Sequence, residues 1–260
     1  METTSFSLVK WYMDCVSDSG EAAILYCADL RWRGVHASLG SLLIAPADQP
    51  PLTTTSLGRF TISTSPEQIS VNHHRLKVGG QWQSASPPFQ SAVYQGPGGS
   101  VIWNCIQPRS VVSVCTPHGD QMGLGYAECL SITIPPWHLP LRELRWGRFV
   151  SNDHSLAWID WQGPYSRKLA VLDSRECILE SVSESQVVAG DASLQIAPGR
   201  ALRSGRLSST ILPGASALRR LFPRSLFNVD EQKTLSPGSL TISGQAYSGW
   251  TIHEVVKWEL

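Results

Sequence analysis

Four strand-like segments in the second half of the chain each carry one ionisable residue in an otherwise apolar row. Side chains alternate along a β-strand, so residues i, i+2 and i+4 share a face. In GYAECLSI this puts Glu128 with Tyr126, Leu130 and Ile132. In HSLAWIDWQ it puts Asp160 with Leu156 and Trp158, and in LRWGRFV it puts Arg148 with Leu144, Trp146 and Val150. In GWTIHEVVKW, Glu254 falls with Trp250, Ile252, Val256 and Trp258. The first half has a weaker instance, Asp14 between Tyr12 and Val16.

A lone charge in an apolar interior either changes its protonation state or finds a partner. Pairing is the less costly outcome, and it predicts that Arg148 serves one or two of the carboxylates. A carboxyl left over would be pushed up in pKa and could act as a general acid. Two readings follow: a structural network of paired charges, or a cavity that does acid–base chemistry on an apolar ligand.

The elements that must position these residues read as strands throughout. KWYMDCVS, a turn at Asp18-Ser19-Gly20 and EAAILYCADLRW form a hairpin pattern. VHASLGSLLIAP, GRFTISTS, ISVNHHRLKVGGQW and SVIWNCIQPRSVVSVC continue it, with turn signals at Gly79-Gly80 and Pro97-Gly98-Gly99. After Gly119 come GLGYAECLSITI, a break at PPWHLP, the pair LRWGRFVS and HSLAWIDWQG around a turn-type SNDH, and several short strands. GASALRRLF is the one short helix in the pattern. Turn signals this closely spaced indicate an all-β sandwich or barrel. The two halves echo each other loosely, each with seven or eight strands. They divide into residues 1–118 and 119–260.

Composition narrows the function. Hydrophobic residues make up 42% of the 260 and charged residues 16%. Such a chain builds a large core and is not disordered. Lys plus Arg and Asp plus Glu balance at 21 each, which removes the electrostatic case for nucleic acid. The basic stretch from Arg200 to Arg224 reads as a solvated connection. Its functional alternatives are a transient membrane-surface contact that loads a lipophilic substrate, or a lid. The six cysteines contain no CxxC pair and read as reduced, buried residues of a cytoplasmic protein, with a disulfide left open. The N-terminal residues lack the charged and apolar regions of a signal peptide, and no apolar run is long enough to span a bilayer.

No metal signature is expected: His73 and His74 are adjacent, so a strand sends them to opposite faces. His154 reads as a turn residue or a proton shuttle, and His253 faces away from Glu254. There is no G-x-S-x-G elbow. Gly123 and Gly125 form only G-x-G, short of a dinucleotide fingerprint.

Three pieces resemble the two-domain lipocalin-like superfamily that includes hydroxyneurosporene synthase, also called carotenoid 1,2-hydratase. KWYMDCVSDSG resembles that family's N-terminal strand and turn. GLGYAECLSI followed by LRWGRFVSNDHSLAWIDWQG resembles the motif that opens its second domain. Tocopherol cyclases and some fungal pericyclases are similar in plan. The resemblance implies two lipocalin-like barrels or half-barrels, and cofactor-free hydration, isomerisation or cyclisation of an isoprenoid- or polyketide-like molecule. Carried onto this chain, it implies Glu128 and Asp160 as acid and base and Arg148 as the residue that tunes them. Tyr126, Trp146, Trp158 and Trp161 would contact the substrate, with Tyr12, Asp14, Trp250 and Glu254 of second rank. A carrier for a lipophilic ligand, with no chemistry, is the rival reading.

Overall fold

A computed structural model of the chain describes residues 6–206 and 229–258. The described residues are all-β, with one 3₁₀ turn among them at Pro136–His138. Among the described residues no helix is long and apolar enough to cross a membrane. The segment GASALRRLF lies outside them, as does most of the basic stretch that contains it.

The first unit comprises residues 6–139 and is built from β1 (Ser7–Val16), β2 (Ala22–Trp32), β3 (Val35–Ala45), β4 (Leu52–Leu57), β5 (Thr61–Thr64), β6 (Gln68–His73), β7 (Val78–Ser84), β8 (Phe89–Gly96), β9 (Gly99–Thr116) and β10 (Gly119–Ile132). The second comprises residues 140–206 and 229–258. Its strands are β11 (Glu143–Val150), β12 (Ser155–Gln162), β13 (Arg167–Leu172), β14 (Arg175–Cys177), β15 (Leu179–Val182), β16 (Gln186–Ala189), β17 (Ala192–Ile196), β18 (Arg200–Arg206), β19 (Val229–Ile242) and β20 (Gln245–Trp258).

Each unit is one ten-stranded antiparallel sheet. The order in the first is β4-β3-β2-β1-β10-β9-β7-β6-β5, with β8 also on β9. The order in the second is β14-β13-β12-β11-β20-β19-β17-β16-β15, with β18 on β19. Adding ten to every strand number of the first gives the second. The echo expected between the halves is therefore a repeat of connectivity, with ten strands in each.

The sheets curl so that their far ends approach. Arg75 Nη1 donates to the Leu57 carbonyl at 2.8 Å in the first unit, and Lys168 Nζ donates to the Glu180 carbonyl at 3.0 Å in the second. The concave faces hold the apolar cores. Met13, Leu25, Ile69, Trp82 and Val112 pack in the first, and Phe149, Leu156, Trp158, Leu194 and Leu240 in the second. Central strands are buried on both faces: β10 is buried without a break from Gly125 to Cys129, and β12 from Ser155 to Trp161. A second buried face therefore exists in each unit, and it carries the polar groups described below.

The division between units falls after Leu139, later than the 118/119 division expected. Gly119, with φ +118°, closes the hairpin between β9 and β10, and β10 pairs with both β1 and β9. The turn signal at residue 119 is a hairpin inside a sheet and the true connection is the proline-rich PPWHLP.

Candidate functional site

In the first unit the pairing register lines up one rung across four strands. Tyr26 on β2 lies opposite Tyr12 on β1, Tyr12 opposite Glu128 on β10, and Glu128 opposite Cys105 on β9. Paired residues share a face, so these side chains stand together on the face opposite the apolar core. Glu128 is 5% exposed, Tyr12 2% and Tyr126 fully buried. Tyr126, two residues before Glu128, donates its hydroxyl to Glu128 Oε2 at 2.7 Å. Trp103 Nε1, from β9, donates to the same oxygen at 2.6 Å. Two donors on one carboxyl oxygen fix its orientation.

The surroundings are aromatic. The rings of Tyr12 and Tyr26 meet edge-on at 5.3 Å, Tyr12 and Tyr126 at 6.1 Å, and Phe89 approaches Trp103 at 6.0 Å. Burial, and then the neighbouring Cys105 and Glu128, pushes the Tyr126 phenol well above its usual pKa. Burial does the same to the Cys105 thiol. Both therefore remain neutral hydrogen-bonding groups beside a carboxylate. Asp14 is fully buried and lies opposite Tyr126. Its backbone carbonyl accepts from Trp82 Nε1 at 2.7 Å.

The second unit carries a denser charge cluster on its corresponding face. Lys233, Glu254, Trp146 and Ile159 form one rung across β19, β20, β11 and β12. Glu231, Val256, Leu144 and Trp161 form the next, and Leu235, Ile252, Arg148 and Ala157 the third. Lys233 Nζ is paired with Glu254 and lies 5.1 Å from the Trp146 ring centroid, a cation–π distance. Arg203 Nε, from β18, donates to Glu231 Oε1 at 2.8 Å. Burial, followed by the Glu254 carboxylate, raises Glu231 to about 7, against the lowering effect of Lys233 and Arg203.

The structure separates several residues that the sequence placed together. Arg148 lies opposite Ala157, and Asp160 lies opposite Arg145. Arg148 and Asp160 thus point to opposite faces of the second sheet, so Asp160 is not one of the carboxylates that Arg148 serves. Asp160 accepts from Gln162 Nε2 at 2.7 Å. Trp158, on the Asp160 face, belongs to the apolar core and stacks over Gly147, where a Cβ would come within 2.2 Å of its ring. Arg148 is 1% exposed and donates through Nη1 to the Trp250 carbonyl at 2.7 Å. Trp161 is buried and donates to the Pro140 carbonyl at 3.2 Å. Glu128 belongs to the first sheet, and Arg148, Asp160 and Glu254 to the second.

Sequence reasoning missed Trp103, Cys105, Arg203, Glu231 and Lys233. A signal for two of them was present: VDEQKTL alternates Val229, Glu231, Lys233 and Leu235, the same apolar row with charges inserted.

Several other expectations can be placed. His73 is buried, accepts from the Leu76 N–H at 3.1 Å and packs on Phe60, while His74 is exposed. His154 lies in the turn after β11, 2.6 Å from Asp173 Oδ2. His253, opposite Thr234, faces away from Glu254, and burial lowers its pKa. All six cysteines are free, and Cys115 is exposed where a buried residue was expected. A surface hollow of about 450 Å³ on β5, β6 and β7 is lined by Thr61, Ser70, Asn72 and Gln81. It contains none of the candidate residues.

No protein-family model matches the chain, and no curated protein does. Solved structures do. CghA crystallised with Sch210972 superposes with a TM-score of 0.65 at 9% identity, over 98% of this chain and 89% of that one. A putative AttH from Nitrosomonas europaea gives 0.62 at 9%, over 98% and 93%. Kievitone hydratase from Nectria haematococca gives 0.56 at 8%, over 96% and 88%. Likeness over nearly whole chains at such low identity is likeness of architecture. In fold, this chain matches these solved structures over nearly its whole length.

Proposed function

We propose that the chain is a cofactor-independent acid–base enzyme acting on an apolar, isoprenoid- or polyketide-like small molecule by hydration, isomerisation or cyclisation. The observation that carries this reading is the convergence of Trp103 Nε1 and Tyr126 OH on one buried oxygen of Glu128. A carboxylate oriented by two donors is preorganised for proton transfer, and pre-set orientation is where most of such a site's advantage lies. Glu128 takes a proton from the attacking water or from a C–H bond, and the neutral Tyr126 hydroxyl gives one to the substrate and is reprotonated from Glu128. The rings of Tyr12, Tyr26 and Trp103 offer π-faces to positive charge that develops on a hydrocarbon. Asp160, on the apolar-core face of the other sheet, is assigned no part in the step.

Two structural neighbours support a small-molecule substrate. Kievitone hydratase is named for its reaction, and CghA was crystallised with Sch210972. The rival reading, a carrier for a lipophilic ligand, uses the same aromatic lining without the proton transfer.

The test is to incubate the protein with kievitone and a set of linear isoprenoid and polyketide alkenes. The products are examined by mass spectrometry for gain of one water or for isomerisation. Turnover that is lost in Glu128→Gln, with folding and ligand binding retained, supports the enzyme. Ligand binding without turnover in the wild type, unchanged in Glu128→Gln, supports the carrier.

A further inference from the structure

We propose that the end of the first unit around the β2–β3 hairpin is a docking surface for an anionic membrane, holding lipid phosphate with arginines and the headgroup layer with tryptophan. It uses none of the residues around Glu128 and none of the basic stretch after Arg200. It therefore stands whether the chain is an enzyme or a carrier.

The hairpin tip comes first. Trp32 pairs with Val35 across a two-residue turn, Arg33-Gly34, in which both residues have positive φ, +49° and +75°. Such a turn matches the twist of its two strands. A Cβ on Gly34 would meet nothing within 4 Å, and Arg31, Arg33 and Gly34 are all exposed. The tip stands clear of its neighbours and can reach a flat surface.

Charge comes second. Arg31 Nε and Arg59 Nε lie 3.6 and 3.8 Å from the Asp29 carboxylate, and His36 Nε2 lies 2.9 Å from it, so one acid gathers three basic side chains. Arg75 extends the cluster: it donates to the Leu57 carbonyl, and a Cβ on Gly58 would lie 3.9 Å from its Cδ. Among the described residues Asp29 is the one carboxylate within ion-pair distance of Arg31, Arg33, Arg59 or Arg75. Four exposed arginines against one acid leave a local positive excess in a chain whose 21 basic and 21 acidic residues balance. Guanidinium groups match phosphate geometry, and a cluster of them is drawn to an anionic leaflet.

The apolar groups come third, and they decide the partner. Arg33 Cζ lies 4.7 Å from the Trp32 ring centroid, and Trp32 meets Trp137 edge-on at 5.0 Å. Both indoles are half-buried, and Leu57 is 45% exposed beside the arginines. Tryptophan beside arginine, with a little exposed aliphatic surface, suits the boundary between headgroups and acyl chains. Single-stranded nucleic acid instead stacks its bases on open aromatic faces. Here Arg33 covers Trp32, and the two indoles pack on each other. The area is small and no apolar segment projects from it, so the attachment is reversible and salt-sensitive.

The experiment floats the full chain with vesicles of phosphatidylcholine alone, and of phosphatidylcholine with about one-third phosphatidylserine. The proposal expects binding to the anionic vesicles only, weakened at about 0.5 M salt. Arg31→Gln, Arg33→Gln and Arg59→Gln should each lower vesicle affinity about fivefold, and the triple variant should lose detectable binding. Arg175→Gln, at an exposed arginine of the second unit, should change nothing. Bromine-labelled lipid should quench the tryptophan emission of the wild type more than that of Trp32→Phe. Exposed ion pairs contribute little to stability, so these variants should keep the fold, which circular dichroism verifies. No binding to anionic vesicles, or binding indifferent to the triple variant, overturns the proposal. Equal quenching in Trp32→Phe overturns the part assigned to tryptophan. Binding of poly(U) RNA that the triple variant loses, without vesicle binding, gives the patch to nucleic acid and overturns the membrane. None of these readouts depends on turnover, so failure here leaves the assignment of Glu128 untouched.

Discussion

Glu128 and Glu254 occupy the same place in two copies of one design: each is the tenth of fourteen residues in the strand that closes its unit. Each faces an aromatic side chain on the first strand of that unit, Tyr12 for Glu128 and Trp146 for Glu254. On the ninth strand their partners differ. Glu128 meets Cys105, a neutral thiol, and Glu254 meets Lys233, a cation. The same backbone position thus holds a carboxylate fixed by neutral donors in one unit and by an ammonium in the other.

The neutral donors on Glu128 should be measurable in stability. Tyr126→Phe removes one of two donors to a buried carboxylate and should cost about 1.5–3 kcal/mol, the range for hydrogen bonds to charged groups. Urea denaturation followed by tryptophan fluorescence measures it. A loss below about 0.5 kcal/mol would mean that the hydroxyl spends little time on Glu128.

Lys233 should be far less tolerant. It is fully buried, and Lys233→Met removes a cation that is paired with Glu254. Breaking one side of a buried pair costs about 3–5 kcal/mol. Replacing Lys233 and Glu254 together by Met and Leu should recover much of that loss. A double-mutant cycle on chemical denaturation reads both outcomes.

Glu231 gives the pH dependence a definite sign. Its folded pKa of about 7 lies above the ordinary value of 4.5. Between those values the folded state holds more protons than the unfolded state, so stability falls as pH rises. The contribution is complete below the ordinary value and is lost as pH passes through 7. Comparing denaturation midpoints at about pH 5 and about pH 8, the wild type should lose more stability than Glu231→Gln. Parallel losses would show that Glu231 titrates normally.

Gly147 should resist even a methyl group. A Cβ there would lie 2.2 Å from Trp158 Cζ2, in a core that packs Trp158 against Phe149 and Leu194. Gly147→Ala should destabilise by about 1–3 kcal/mol through overpacking. Pairing it with Trp158→Leu should relieve part of the clash, which thermal melts of the two variants would detect.

Much of the architecture was legible because most strands are flanked by turn residues and alternate cleanly. The strand count and the boundary were not, for local reasons. β9 runs for 18 residues through Pro108, and β19 for 14 through Pro237. Proline reads as a strand end, but bulges and edge positions accommodate it. Glu128, Arg148 and Asp160 are each buried beside apolar neighbours of their own row. Which rows face each other was hidden, because alternation fixes parity within a strand and only register fixes it between strands. Arg148 and Asp160 show the consequence: both sit in tryptophan-containing rows, yet pairing of Arg148 with Ala157 sends them to opposite sides. Glu231 lies in VDEQKTL, a segment not read as a strand.

The pairing of first strand with last in each unit, β1 with β10 and β11 with β20, also dictates when the chemistry can come into being. These are the contacts of greatest sequence separation within a sheet, and such contacts are the slowest to close. Glu128 and Glu254 ride on the closing strands, so neither reaches its partners until its own ten-strand sheet is sealed. On the ribosome the first unit has all its strands by Ile132, while the second must wait for β20. A half-made chain would therefore hold one assembled carboxylate site and one still in pieces. In each unit the carboxylate on the closing strand is the last to reach its partners.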